Sequence, residues 1–516
     1  MTLATLLASC SQDEPLADMS TGQTLTISVT DGGYQSESRA TENGYTTQFT
    51  VGDECGLYIV RNGALAIINQ KVIASETADG TLEWVTDDPA GIKGGFAGEK
   101  YYLYYPYQDD MTDKVNASAT SVDKFFANLV NGWTPANDQS DYTTGYAPSD
   151  LMISTGTLNK NQLSFTMQHA MTLAIMEFPK VTYKFTDGDI PDVTTTTVVD
   201  FSETSAKPLR MADGTYRLIY NKNAIPAVSG KYLDGKREFS ITLKTNTYSN
   251  WIFKVEPNSW QPIEVSYNLA VGDYFCKNAD NRWYVIPGEA YPDGNVIGIV
   301  FYAGQHDTDT ADYTSTGIGR QKCHGYVVAL TDVHNDLDDQ LRWEYAPPQQ
   351  NGQCVNASTS TDDWQGYSNH LKIREFVSNN AGWEMKHFPA AFACETYGNR
   401  TLDRDGNDAG GKYDWQQPLA APSNTSGWFL PSYRQLYYLN ESRSSLSARM
   451  TEVKNCTPVD CSYQSHIKWF DYDISSDYWS STEKDSSHTW YMDFDYESGW
   501  NFSKDCTLSV RAILAF

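Results

Sequence analysis

Up to about residue 300, this 516-residue chain is built of short runs that alternate apolar and polar residues and are cut by turn residues. Thr24-Leu25-Thr26-Ile27-Ser28-Val29 is one such run and Asp31-Gly32-Gly33 breaks it. Cys55-Gly56-Leu57-Tyr58-Ile59-Val60, Tyr101-Tyr102-Leu103-Tyr104-Tyr105 and Gln162-Leu163-Ser164-Phe165-Thr166-Met167 repeat the pattern. A period of two places successive side chains on opposite faces of a strand, so each run predicts a strand with one buried face. Many short strands at regular spacing predict β-sandwiches, and sustained helical periodicity is scarce in this part of the chain.

The same character continues through Tyr216-Arg217-Leu218-Ile219-Tyr220, Glu238-Phe239-Ser240-Ile241 and Trp251-Ile252-Phe253-Lys254-Val255. It changes near Val271-Gly272-Asp273-Tyr274-Phe275. Beyond it, Leu371, Ile373, Phe376 and Val377 occupy one face of a predicted helix. Ser432 followed by Gln435, with Leu436 and Leu439 behind, reads as a capping box opening another helix. The expectation is therefore a mostly β chain. It has a pro-segment over 1–39, sandwiches over 40–158 and 159–270, and an α+β domain over 271–516.

Charge removes some function classes. Asp and Glu number 65 against 38 Lys and Arg, a formal net charge of −27. That excludes a nucleic-acid backbone as partner, because such binding needs clustered cations. It also excludes a polybasic grip on anionic lipid. No run after the N-terminus is long and apolar enough to span a bilayer.

Leu7-Ala8-Ser9-Cys10 joins an apolar run to small residues and a cysteine, followed by the polar Ser11-Gln12-Asp13-Glu14. This resembles the lipobox of bacterial lipoproteins. The resemblance implies cleavage before Cys10, acylation of its thiol, and a lipid anchor at the outer membrane and cell surface. The other reading is a free cysteine in an apolar N-terminus. Met1-Thr2-Leu3 carries no Lys or Arg, so the start of the leader is expected upstream. Eight further cysteines are disulfide candidates or reduced core residues; their spacing assigns no pairing, though Cys456 and Cys461 could close a small loop.

Asp150-Leu151-Met152, then Phe165 with His169 and Met171, follow a Phe49-Thr50-Val51-Gly52-Asp53 entry and Gly56-Leu57-Tyr58. Together with the lipobox, these pieces resemble the fimbrillin-like proteins of Bacteroidetes over roughly residues 1–270. The resemblance implies transthyretin-like β-sandwiches and a fimbrial, or pilus, subunit. It also implies a trypsin-like protease that cuts after an arginine, here between Arg39 and Ala40, and frees the strand upstream. The open sheet edge then accepts a strand from another pilus subunit. An ordinary exposed loop arginine is the alternative for Arg39. His169 reads as a satisfied, partly buried histidine at a domain junction rather than a metal ligand, because no partner spacing accompanies it.

Trp428-Phe429-Leu430-Pro431-Ser432, Tyr478-Trp479-Ser480-Ser481 and the terminal Val510-Arg511 resemble a bacterial C-type-lectin-like module over roughly 272–516. Trp428, Trp479 and Trp490 are expected core anchors, and the terminal strand is expected beside the start of the domain. In stalk subunits the resemblance implies a donated C-terminal strand; here that strand is spent within the module, which suits a tip or adhesin position.

Enzyme templates are missing. There is no His-Glu-x-x-His, Gly-x-Ser-x-Gly or phosphate-binding Gly-x-x-x-x-Gly-Lys. Gly317-Ile318-Gly319 lacks the third glycine of a dinucleotide site. The Arg-x-Gly-Gly-Ser-Trp hallmark of related lectin-fold enzymes is missing too, so no catalytic residues and no cofactor are expected. Calcium is the one ion considered, at Asp403, Asp405, Asn407 and Asp408, whose spacing departs from an EF-hand loop and equally fits a solvated turn. Glu256-Pro257-Asn258 spells a lectin tripeptide but precedes the module. Tyr496 and Trp500 are the ligand-binding candidates, facing host or bacterial surface glycan or protein. The alternative to a pilus subunit is a glycan-binding lipoprotein that stays anchored through Cys10 and never polymerises.

Overall fold

The computed structural model describes residues 22–34, 48–244, 250–255, 262–333, 340–345, 352–400, 402–411, 414–456, 461–467, 469–470 and 476–516. Cys10, Arg39 and Ala40, and the Glu256-Pro257-Asn258 tripeptide, lie outside them. The fold is mostly β. Contacts divide it into two units, one of Met1–Phe178 with Val199–Asn258, the other of Pro179–Val198 with Ser259–Phe516.

In the first unit seven strands form a closed ring. Their order is Thr26–Asp31, Leu82–Thr86, Ala64–Glu76, Glu54–Arg61, Lys100–Tyr105, Met152–Asn159 and Gln162–His169, which returns to Thr26–Asp31. The sandwich expected here is thus closed along one side by the N-terminal strand. The alternation seen in the sequence is realised in Gln162–His169, where Leu163, Phe165, Met167 and His169 are buried and the residues between them exposed. These side chains meet Leu57, Val72 and Trp84 in the ring interior. Phe49 closes that core at the entry motif by edge-to-face contact with Trp84 and Tyr105. A second core covers the outer side of the ring, with Tyr58, Tyr102, Phe125 and Phe126 packed against Leu173 and Ile175. The unit also holds a four-stranded sheet, in which Thr172–Glu177 pairs with Tyr216–Tyr220 and Asn250–Lys254, and a three-stranded sheet centred on Val228–Tyr232.

The second unit contains a three-stranded sheet in which Lys180–Phe185 is central. Its main sheet has six strands, ordered Trp283–Ile286, Tyr274–Lys277, Val296–Ala303, Gly325–Ala329, Ile513–Ala515 and Trp428–Phe429. The terminal strand therefore lies beside Gly325–Ala329 and Trp428–Phe429, not beside the first strand of the domain. The ring of Phe516 reaches back toward the first two strands, 4.8 Å from Phe275 and 5.1 Å from Trp283. A hairpin sheet of Asp477–Glu483, His488–Asp493 and Ser498–Ser503 completes the β structure described below.

Helix Tyr433–Glu441 opens on the expected capping box: Ser432 Oγ accepts from the Gln435 amide and Gln435 Oε1 accepts from the Ser432 amide. Leu436 and Leu439 face the core. Helix Gly366–Asn379 is turned from the expected face. Gly366, Asn369, His370 and Ile373 are buried, while Leu371 is exposed. Polar side chains take the inner stripe because they have partners there: Asn369 accepts from the Ser358 amide and donates to Ser481 Oγ, and His370 lies 3.4 Å from Glu395. Trp428 and Trp479 are core residues as expected, whereas Trp490 is half-buried against Tyr433.

Cys55, Cys276, Cys323 and Cys394 are buried single thiols. Burial, followed by the Asp309 charge, pushes the Cys323 thiol up to about 12. These four pack as small apolar side chains.

Candidate functional site

The strand Thr26–Asp31 is the first candidate. Leu25, Ile27 and Val29 point into the ring while Thr26 and Thr30 stay exposed. Each buried aliphatic side chain contributes about 2 kcal/mol. The two neighbours hold the strand unequally. A parallel register runs six residues, from Thr26 opposite Gln162 to Asp31 opposite Met167. On the other side, one antiparallel pair joins Ile27 to Trp84. Ser28 Oγ donates to Ser164 Oγ at 2.9 Å, and the Gly32 amide donates to the Met167 carbonyl at 2.8 Å. A Cβ on Gly32 would stand 2.7 Å from that carbonyl oxygen, so this close approach requires glycine.

At the end of the strand sits His169, its side chain 1% exposed. Its Nδ1 lies 2.9 Å from the Asp150 carboxylate and its Nε2 lies 3.1 Å from Asp31 Oδ1. Tyr34 stacks on the imidazole at 3.7 Å and donates its hydroxyl to Asp150 Oδ1 at 3.0 Å. Burial pulls the imidazolium down, but Asp150 and Asp31 outweigh it and raise the pKa to about 9. Below that pH the ring is a cation clamped between two carboxylates. Asp31 and Tyr34 come from the N-terminal segment, Asp150 and His169 from the rest of the ring. The sequence context suggested a satisfied, partly buried histidine; the structure buries the side chain fully, between acid groups that no local spacing revealed. A cavity of about 470 Å³ adjoins it, lined by Gly33, Val130, Ile153, Gln168 and Lys222.

The second candidate is the outer hairpin. Tyr496 is 81% exposed, Trp500 62% and Phe502 42%. Register places Trp479, Tyr491 and Trp500 in one cross-strand row, so they share a face of the sheet. The row runs from the fully buried Trp479 to Trp500 on the edge strand. Phe502 lies on the same face, 6.0 Å from Tyr491. Gly499, on the opposite face, meets the Tyr433 ring, and a Cβ there would come within 2.0 Å of it. Tyr496 stands in the turn, where its amide donates to Asp493 Oδ1. Asp477 and Asp493 are direct cross-strand partners. Burial, then the Asp493 and Asp495 charges, raise Asp477 to about 6. Tyr496 and Trp500, the candidates named from the sequence, are both exposed, and register sets Tyr491 and Phe502 beside Trp500.

The acidic loop turns its oxygens on itself. Asp403 Oδ1 accepts from the amides of Asp405 and Asn407, both at 2.9 Å. Asp405 takes Arg342 Nε at 2.9 Å, and Asp408 accepts from the Gly410 amide at 2.8 Å. Among the described residues, no group of three or more His, Cys, Asp or Glu side chains is placed to hold a metal ion.

The architecture is thus that of a mostly β protein with a ring closed by its N-terminal strand and, in a separate unit, an aromatic hairpin facing solvent. No protein-family model matches the chain. It is similar, at 27% identity over 534 aligned residues, to a Bacteroides ovatus protein named for a proposed role as fimbrium tip subunit Fim1C; the match covers 95% of this chain and 93% of that one. Among solved structures, a fimbrial protein of Bacteroides ovatus aligns with a TM-score of 0.42 at 24% identity, covering 96% of this chain and all of that one. A protein of Bacteroides uniformis, named for a proposed role in cell adhesion, aligns with a TM-score of 0.27 at 15% identity over 47% of this chain and 93% of its own.

Proposed function

We propose that this chain is a non-catalytic fimbrial subunit of the tip or adhesin type, exported as a lipoprotein through Cys10 and matured by cleavage between Arg39 and Ala40. Removal of the upstream segment takes the strand Thr26–Asp31 out of the ring. The edges of Gln162–His169 and Leu82–Thr86 then stand open, and a strand from another pilus subunit fills the slot. The observation that carries this reading is the position of Thr26–Asp31: it closes the ring, and it precedes Arg39 in the sequence. The 27% identity to a protein named as a tip subunit supports it. A terminal position is supported by Ile513–Ala515, which is paired on both sides and would have to leave a fully buried site to be donated. On this reading the protein lies at the cell surface, first at the outer membrane and then in the fimbrium. Its domains keep the limits 40–158, 159–270 and 271–516, although contacts assign parts of 159–270 to both units.

The mature N-terminus, measured by intact mass and sequencing on protein from native envelopes, tests the proposal. A start at Ala40 is expected. A start only at acylated Cys10, in cells whose fimbrial processing is active, overturns it.

One observation favours a second reading. The Trp500 face offers a flat aromatic surface beside carboxylates, which suits stacking on a sugar ring or a protein side chain. A surface lipoprotein that binds glycan and never polymerises needs that face and not the removable strand. Capture on a glycan array by the wild-type chain, lost in Trp500→Ala, together with an unprocessed N-terminus, is the outcome that selects it.

A further inference from the structure

The clamp around His169 is divided by the proposed processing site. Cleavage after Arg39 removes Asp31 and Tyr34 together with the strand. Asp150 and His169 stay behind. The vacated slot then holds an imidazole that has lost one of its two carboxylates and the ring that covered it. Its position does not change, because Gln162–His169 stays in the ladder with Met152–Asn159.

Resting on the strand-exchange reading above, we propose that His169 and Asp150 select the incoming strand: the slot takes a strand with aliphatic residues where Leu25, Ile27 and Val29 now lie and a carboxylate opposite Met167, where Asp31 now lies. The native segment is the template for this requirement. Its aliphatic residues fill the ring interior, and its aspartate reaches Nε2 at 3.1 Å. A neutral residue at that position leaves the imidazole paired with Asp150 alone, with no carboxylate facing its Nε2. A lysine or arginine sets a like charge against it in a setting where water screens little. An aromatic ring at the Tyr34 position restores the cover over the imidazole. The groups that face His169 are Asp31, Asp150 and Tyr34, and after exchange the first and last are supplied by the partner. The partner this fits is a second subunit whose donated strand is aliphatic along one face and acidic at the end that meets His169.

The test uses the full chain, nicked after Arg39 by limited trypsin digestion, since Arg39 is the first basic residue in the sequence. Fluorescent peptides of residues 23–34 are offered in three forms: native, Asp31→Asn and Asp31→Lys. The native peptide is expected to displace the resident segment. The Asn form should bind roughly tenfold more weakly, the loss of one close buried charge contact, and the Lys form more weakly again. In a His169→Gln chain the native and Asn peptides should bind alike. Equal binding of those two peptides to the wild-type chain overturns the inference while leaving strand exchange intact. Entry by none of the peptides overturns strand exchange itself, and the inference with it. Should His169→Gln fail to fold, amide hydrogen exchange in the intact chain replaces it. Asp31→Asn is then expected to speed exchange across Thr26–Asp31 at least severalfold; unchanged protection counts against the inference.

Discussion

Two strands near opposite ends of this protein, Thr26–Asp31 and Ile513–Ala515, are each inserted between two neighbours, yet they are held in different ways. Thr26–Asp31 is a half-exposed strand with a long ladder on one side and a single pair on the other. Ile513–Ala515 is shorter, and every one of its residues is buried. It is also pinned beyond its own ladder. Arg511 Nε donates to Asp332 Oδ1 at 2.6 Å, its Nη1 donates to the Ala329 carbonyl at 3.0 Å, and Tyr478 donates to Asp332 Oδ2 at 2.9 Å. On the strand-exchange proposal, ladder length does not decide which strand leaves. A strand can leave when its outer face is already solvated and its anchor is a side-chain cluster at one end. A strand whose two faces and polar anchor are all buried cannot leave without the unit unfolding.

The largest effect should come from breaking the anchor of the fixed strand. Arg511→Ala leaves the buried Asp332 carboxylate without its cation, a defect that costs about 3–5 kcal/mol. Chemical denaturation should show this loss in processed and unprocessed protein alike. A smaller loss in the processed form would mean that the two ends of the chain are coupled.

Next comes the clamp of the removable strand. The folded pKa of His169 is raised to about 9 from an ordinary value near 6.5. Its contribution is therefore fully present below about pH 6.5 and is lost as pH rises through 9. The shift corresponds to at most roughly 3 kcal/mol. Stability measured at pH 7 and pH 10 should fall more for the wild-type chain than for His169→Gln, and the difference should shrink once Asp31 is removed, because Asp150 then acts alone. An equal fall in both chains would remove the clamp from the account.

Ile27→Ala probes the same strand from inside the ring. Its neighbours can partly close over the lost methyl groups, so the expected loss is about 2 kcal/mol, at the low end for such substitutions. The loss belongs to the unprocessed chain alone. If fimbriae assembled from this variant are as stable as wild type while the precursor is destabilised, the strand has been replaced; if both are weakened, it has stayed.

What could be read from the sequence follows from how local each interaction is. The alternation in Gln162–His169 and the capping box at Ser432 and Gln435 are set by neighbours a few residues away, and both are present in the fold. The clamp was not legible, because His169 finds one partner 19 residues back and the other on the neighbouring strand, far away in the sequence. Leu371 was assigned inward by its apolarity, and the structure instead buries Asn369 and His370, whose partners on other segments no helical pattern announces. The neighbours of the terminal strand were missed for the same reason. Strand order is decided by long-range packing, and apolar strands of similar composition compete for each place in the sheet.

The smallest stability effect is expected at the face that the second reading depends on. Trp500 is 62% exposed and lies on the edge strand of its sheet. Trp500→Ala should therefore change unfolding free energy by less than about 0.5 kcal/mol, as surface substitutions generally do. Its effect on adhesion should be large, because an exposed aromatic residue at the centre of a recognition surface typically carries about 2 kcal/mol or more of binding. Tyr491→Ala is the sharper control: half-buried in the same row, it should lower both stability and adhesion. A Trp500→Ala chain that unfolds early would show the ring to be structural. One that is as stable as wild type and still adheres fully would move the search for ligand away from the hairpin. Stability and adhesion that separate at Trp500 and fall together at Tyr491 would mark the hairpin as the contacting surface, with Trp479 as its buried support.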